Sequence, residues 1–313
     1  MNLTDLKKKG FKIVTNWQEC NKNTIFLFDS KNQSKFIKYI NLAIKKKCNF
    51  FICNIKLKGI IKQKSINFFF YNNNKDLEKI VKIFYRFNRL KLIFVTGTNG
   101  KTSIAYGANK LFNKNGLRSC YIGTLGFFIN SKRIKKLSNT TPSYFEILNL
   151  LQLANDNYIK FVFIEVSSIG YCEGRIGNLN YNYCILTNLE SDHLDYHKNI
   201  NNYHLAKINL IKDHRLKNSI LFLQDYNLKN KFKSFDKNLL SQDSFISKNK
   251  ISIINKSFNQ YQITLKDKSY KINTYNDFMV KNIITILMVY NKITNKFPLK
   301  ITKSLFPPGR SEI

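Results

Sequence analysis

Arginine is scarce in this chain, at seven positions only (Arg86, Arg89, Arg118, Arg133, Arg175, Arg215 and Arg310), and four Pro, 12 Gly and 19 Asp+Glu complete the thin side of the composition. Too little arginine argues against a nucleic-acid stripe, where guanidinium groups make bidentate contacts. No apolar run approaches the roughly 18 residues that span a bilayer, so no membrane segment is expected. Met1 to Gly10 is charged with no apolar stretch behind it, which speaks against a secretory signal. The six cysteines form no CxxC pair and no even spacing, so neither a zinc knuckle nor a disulfide framework is indicated, and a reducing cytoplasm is the expected compartment.

What is abundant follows the same bias. Lys+Arg number 52, giving a formal net charge of +33, and Lys, Asn, Ile, Phe and Tyr are inflated together, the set written by A/T-rich codons. The lysines are scattered through every segment, so codon drift accounts for the charge, with polyanion binding kept as the competing reading. A hydrophobic content of 43% excludes intrinsic disorder, and 313 residues are enough for two domains.

Residues 1–88 read as a small α/β unit, with strands at Thr24–Phe28, Phe50–Ile55 and Asn67–Tyr71 and helices at Ser34–Lys47 and Asp76–Phe87. From Lys91 a sharper pattern begins. Leu92-Ile93-Phe94-Val95 is a buried-strand run leading into Gly97-Thr98-Asn99-Gly100-Lys101-Thr102, with a helix expected from Thr102 to Asn115. Further strands at Ser119–Ile122, Phe161–Val166, Tyr183–Thr187 and Ser219–Leu223 alternate with helices or loops, which predicts a doubly wound, mostly parallel sheet. Alternation within 251–272 predicts an antiparallel hairpin at the edge of that sheet, followed by helices at Phe278–Asn291 and Lys300–Leu305.

Three places carry chemistry. The glycine loop between strand and helix sets backbone N–H groups and a helix N-terminus around a phosphate, with Lys101 against its oxygens and the Thr102 hydroxyl on Mg²⁺. The strict GxxxxGK[ST] spacing fails at Val95, so the loop is a shortened relative. Glu165 ends a buried strand, where a carboxylate can hold a cation, or can merely cap a helix. Asp192, His193, Asp195 and His197 crowd the loop after the Tyr183 strand as metal ligands or proton carriers, with a solvated loop as the competing reading.

Taken in order, Thr96 to Ser103, Asn139-Thr140-Thr141-Pro142, Glu165-Val166-Ser167-Ser168, Thr187-Asn188-Leu189 through Asp192-His193-Leu194-Asp195-Tyr196-His197, and Ala206-Lys207 resemble the Mur ligases. Among these the similarity is to the branch that adds the third residue of the peptidoglycan stem. The resemblance implies that Gly97, Thr98, Asn99, Gly100, Lys101, Thr102 and Ser103 bind ATP, joined by Asn282 and Arg310. It implies Mg²⁺ on Thr102, and a second Mg²⁺ on Glu165, His193 and a carbamate formed on Lys207. Asn139, Thr140, Thr141, Ser167, Glu173 and Arg175 then match positions that bind UDP-MurNAc-L-Ala-D-Glu, and Lys101, Lys207 and His193 are the catalytic set. The implied product forms when an acyl phosphate on the D-glutamyl carboxylate is taken by an amino acid, usually meso-diaminopimelate.

The chain departs from the family at Ile169, which replaces a His, at Asn16-Trp17-Gln18, which replaces the uridine-pocket triplet, and at Asn276 and Met279 near the adenine site. The resulting expectation is a UDP-substrate domain over 1–88, an ATP-binding domain over 89–306, and in 307–313 the start of a hinge toward a C-terminal ligase domain. That domain is then separately encoded, or the gene is truncated or decaying. Neither nucleic acid nor membrane is an expected partner, and a non-catalytic nucleotide-binding relic is the alternative to an enzyme.

Overall fold

The computed structural model describes residues 1–28, 32–61, 66–87, 89–257, 260–265, 268–273, 276–299, 301 and 305–306. It divides into two compact units, Met1–Asn88 with Tyr144–Leu153, and Arg89–Ser143 with Ala154–Ile313.

In the first unit, helices α1 (Leu3–Lys8), α2 (Gln33–Lys45) and α3 (Asn74–Phe84) accompany strands β1 (Lys12–Val14), β2 (Thr24–Phe28), β3 (Phe50–Asn54) and β4 (Asn67–Tyr71). The strands pair in sequence order, all parallel. Phe26, Phe36, Ile40 and Phe51 fill the core between sheet and helix, and each buried apolar side chain of this size contributes about 1.5–3 kcal/mol. Asparagine starts the helices: Asn2, Asn32 and Asn73 each accept a backbone N–H from the first turn of α1, α2 and α3. The inflated Asn content thus supplies N-caps, the positions where a short polar side chain is favoured.

The second unit is built on an eight-stranded sheet. Its elements in chain order are β5 (Lys91–Thr96), α4 (Lys101–Lys114), β6 (Ser119–Gly123), β7 (Gly126–Ile129), β8 (Lys132–Lys135), α5 (Tyr144–Asp156), β9 (Phe161–Glu165), α6 (Ser168–Cys172), β10 (Tyr181–Leu186), α7 (Leu194–His197), α8 (Ile200–Asp213), β11 (Arg215–Leu223), β12 (Leu239–Ser241), α9 (Gln242–Lys248), β13 (Ser252–Ser257), β14 (Gln260–Leu265), β15 (Lys268–Asn273) and α10 (Asp277–Thr294). Within α5, the stretch Tyr144–Leu153 clusters with the first unit. There the Asn149 side chain donates to the Ile13 carbonyl (2.7 Å) and accepts from the Tyr85 hydroxyl (2.9 Å).

The sheet order is β12-β11-β10-β5-β9-β6-β7-β8, parallel from β12 to β6 and antiparallel at β6-β7-β8. The fold is therefore α/β with a mostly parallel sheet, as its strand runs predict. Strands β5, β6, β9 and β10 are almost wholly buried, the mark of parallel strands covered on both faces. Helix α4 packs on this sheet and on α10, and Ile104, Ala108, Phe112, Phe163, Ile283 and Leu287 share one core.

One expectation is corrected. The segment 251–272 is not a hairpin on the edge of the main sheet but part of a separate three-stranded antiparallel sheet, β13-β14-β15. Its alternating pattern is explained by an inward face of Tyr261, Ile263 and Leu265, which joins the core shared by α4 and α10 rather than extending the large sheet. The edge positions belong instead to β12 and to β8, the outer strand of a hairpin absent from the sequence reading. Of the helix expected at Lys300–Leu305 only Ile301 and Leu305 are described, neither of them helical, and the hinge at 307–313, with Arg310, lies outside the described residues.

Candidate active site

The carboxyl ends of β5, β9 and β10, adjacent in the sheet, deliver three loops to one place, the usual ligand position of an open α/β sheet. A cavity of about 260 Å³ opens there, lined by Thr98, Asn99, Gly100, Lys101, Thr102, Thr124, Thr140, Glu165, Ser167, Ser168, His193, Tyr203 and Lys207.

The glycine loop is shaped by its neighbours. Gly97 has φ +139°, and a Cβ there would lie 1.9 Å from the Thr187 hydroxyl oxygen, so only glycine fits. The Thr187 hydroxyl donates to the Asn99 carbonyl (2.6 Å), and the Asn188 amide oxygen accepts from the N–H groups of Thr98 (3.1 Å) and Asn99 (2.9 Å). Glu190 completes the clamp, its N–H donating to Thr98 Oγ1 (2.9 Å) and its carboxylate accepting from the Asn99 side chain (2.7 Å). Gly100, at φ +84°, starts α4 without any capping side chain, so the positive end of a 14-residue helix faces the cavity. Lys101 folds back over the loop, donating to the carbonyls of Gly97 (2.8 Å) and Thr98 (2.7 Å). Ser103, also expected to bind nucleotide, is buried on α4 and does not line the cavity.

Glu165 is fully buried at the end of β9 and holds four donors. Oε2 accepts from the hydroxyls of Thr102 (2.8 Å) and Thr124 (3.2 Å), and Oε1 from the Thr124 N–H (3.1 Å) and the Tyr121 hydroxyl. Lys207, on α8, is 1% exposed and makes no hydrogen bond or ion pair with any described residue. Its ammonium lies 4.3 Å from the centroid of the Tyr203 ring. Burial, then the charge of Lys101, brings its pKa down to about 7. Tyr203 in turn donates to Thr98 Oγ1 (3.1 Å), tying α8 to the glycine loop.

The acid-rich loop after β10 divides its residues. His193 lines the cavity in a left-handed conformation (φ 50°), with Asp192 3.5 Å from its Nε2. His197 turns inward, 3.0 Å from the Ser168 hydroxyl, and burial, Lys207 and His193 lower its pKa. Asp195 does not line the cavity.

Of the expected substrate-binding residues, Thr140 and Ser167 line the cavity, and Thr140 lies 3.1 Å from the Thr124 hydroxyl. Thr141 is fully buried beneath them, accepting from the Ser167 N–H (2.9 Å) and donating to the Glu165 carbonyl (3.1 Å). Arg175 donates to the Thr141 carbonyl (2.9 Å) and pairs with Glu173, while Asn139 is exposed. Asn282 stands apart from the cavity lining: fully buried, it accepts from the Gln224 amide (2.9 Å), and a Cβ on Gly100 would lie 3.0 Å from its Oδ1.

Several lining or supporting residues were not assigned from sequence. Thr124, Tyr121 and Gly123 depend on β6 lying beside β9. Tyr203 had a local signal, since it stands four residues before Lys207 on one helix face.

The residues suit a divalent cation by their chemistry. Among the described residues no three His, Cys, Asp or Glu side chains form a ready-made metal site. Glu165 and His193 supply one oxygen and one nitrogen, and an anionic adduct of the Lys207 amine would complete a hard-cation set.

This fold and this cavity define a doubly wound α/β protein with a phosphate-type loop opposite a buried carboxylate and a buried lysine. Residues 95–290 match the Mur ligase middle domain, and the chain belongs to that family. It is 33% identical over 276 residues to the UDP-N-acetylmuramoyl-L-alanyl-D-glutamate--2,6-diaminopimelate ligase of Wigglesworthia glossinidia brevipalpis, covering 84% of this chain and 53% of that protein. The Helicobacter pylori ligase of the same name is 40% identical over 129 residues, 41% of this chain and 29% of its own length. A solved structure of a ligase of that name superposes with TM-score 0.66 at 18% identity, covering 96% of this chain and 63% of that one. The MurF ligase from Thermotoga maritima in complex with ADP superposes with TM-score 0.61 at 15% identity, covering 96% and 66%. The chain thus spans about half or less of these curated relatives.

Proposed function

We propose that this chain holds ATP and a UDP-muramoyl dipeptide for an ATP-dependent amide ligation in peptidoglycan precursor synthesis, the step that joins a third residue, meso-diaminopimelate, to UDP-MurNAc-L-Ala-D-Glu. One observation carries the reading: Lys207, buried against the Tyr203 ring with no carboxylate paired to it among the described residues, in a cavity shared with the glycine loop, Glu165 and His193. A lysine in that state costs stability unless its amine is used.

In this reading residues 1–88 recognise the UDP end and residues 89–306 carry the nucleotide site. The N-terminal end of α4 and Lys101 receive the β- and γ-phosphates, with Lys101 exchanging its two carbonyl acceptors for phosphate oxygens. Thr102, Glu165, His193 and Lys207, the last as its carbamate, would hold Mg²⁺, which supplies neutralising charge to the phosphate oxygens. Ser167, Thr140 and the Arg175–Glu173 pair position the dipeptide so that its D-glutamyl carboxylate meets the γ-phosphate in line. ADP leaves as the acyl phosphate forms, and the incoming amine then attacks the acyl carbon, forming the amide and releasing inorganic phosphate and a proton.

Substrate-dependent ADP release tests this. The chain is incubated with ATP, Mg²⁺, UDP-MurNAc-L-Ala-D-Glu and meso-diaminopimelate, alone and with a polypeptide corresponding to the remaining part of its relatives. ADP formed only when the UDP-substrate is present supports the proposal. No substrate-dependent ADP under either condition overturns it and leaves a nucleotide-binding relic.

A further inference from the structure

Tyr121 lies on β6, whose register with β9 sets Tyr121 beside Phe163 and Ile122 beside Ile164, so that Gly123 comes level with Glu165. The tyrosine is fully buried, with its ring edge-on to Tyr106 and Phe128. Its hydroxyl accepts from the Leu125 N–H (3.2 Å), which directs the phenolic proton to Glu165 Oε1. Gly123 makes the arrangement possible: a Cβ there would fall 2.2 Å from Glu165 Oε1 and 2.6 Å from the Tyr121 hydroxyl.

The two carboxylate oxygens are consequently held in different ways. Oε1 is fixed by a backbone N–H, which cannot turn away, and by a phenol whose ring is buried and whose oxygen already accepts from the Leu125 N–H, which keeps its proton on Oε1. Oε2 is held by the Thr102 and Thr124 hydroxyls, which rotate about a single bond, and Thr102 and Thr124 both line the cavity. From this asymmetry we infer that Tyr121 is a positioning residue for the divalent cation. It immobilises Oε1 so that Glu165 offers Oε2 alone, as a one-oxygen ligand released when the threonine hydroxyls rotate. Partners that orient a ligating carboxylate from behind typically change metal affinity 10–100-fold when removed. The inference rests on the proposed metal role of Glu165.

The test is Tyr121→Phe in the 313-residue chain, which keeps the ring packing and removes only the hydroxyl. Binding of a fluorescent ADP analogue is titrated against Mg²⁺, and the metal-free affinity and melting temperature are measured alongside. The expected result is a Mg²⁺ midpoint raised about 10-fold or more, with metal-free nucleotide affinity unchanged. Tyr121→Met, which also fills the space without a donor, should give the same shift. A midpoint that stays within about twofold of the parent in both variants overturns the inference, provided Glu165→Gln moves it. A Glu165→Gln midpoint that does not move instead removes the metal role of Glu165, and the inference falls with it.

Discussion

The ammonium of Lys207 sits 4.3 Å above the centre of the Tyr203 ring, with both residues on α8 and both essentially without solvent exposure. The aromatic face takes the place of a carboxylate, so the lysine is held without being neutralised by an ion pair.

This arrangement makes stability depend on pH in a specific direction. Folding lowers the Lys207 pKa from 10.5 to about 7, so between those values the unfolded chain carries a proton that the folded chain lacks. Stability therefore falls as pH drops through that window, and the full cost is present below about 7. In CO₂-free buffer, Lys207→Met should melt about 2–4 °C higher than the parent at pH 7, for about 1 kcal/mol regained. The gap should close toward pH 10.5. With ¹³C-bicarbonate, a carbamate resonance present in the parent and absent from the variant would identify Lys207 as the adduct site.

Gly97→Ala should abolish tight nucleotide binding. Its Cβ would collide with the Thr187 hydroxyl, and φ +139° is closed to alanine. A cost of about 1–3 kcal/mol concentrated in the loop is expected, seen as a more than ~10-fold loss of affinity for a fluorescent ADP analogue, since 1.4 kcal/mol is a factor of ten. Unchanged affinity would mean the loop rearranges freely.

Asn282 should prove structural as well as nucleotide-related. Asn282→Leu leaves the buried Gln224 amide without its acceptor, at a cost of about 1–3 kcal/mol in urea unfolding. A variant with parental stability and weakened nucleotide binding alone would place the side chain in contact with ligand instead.

His197 governs the acid side. Burial, Lys207 and His193 lower its pKa, Asp195 opposes them, and its imidazole is matched to the Ser168 hydroxyl. The unfolded chain takes up this proton below about pH 6.5 while the folded chain resists it, so stability is lost as pH falls through that value. Melting temperatures from pH 7.5 to 5 should decline less steeply in His197→Asn than in the parent.

Much of this architecture was legible in the residues themselves. Leu92 to Val95 running into Gly97–Thr102 announced β5, the loop and α4, because a continuous apolar run followed by glycines leaves little alternative. Glu165 was legible as the end of a buried strand. The β7–β8 hairpin was not, since its four-residue strands are too short for periodicity and its turn at Asn130-Ser131 uses left-handed backbone without glycine. Nor could Tyr121 and Thr124 be read as partners of Glu165, which lies more than 40 residues away in sequence. The separate β13–β15 sheet shows the same limit: alternation reveals a buried face but not which core receives it.

The clamp that Thr187, Asn188 and Glu190 place on the glycine loop has a thermodynamic corollary. Two backbone N–H groups of the loop, those of Thr98 and Asn99, are spent on Asn188. The conformational entropy of shaping the cradle is thus surrendered when the chain folds, not when nucleotide arrives. In the proposed function, an incoming phosphate would then meet a template already set, with the first turn of α4 as the rim left to receive it.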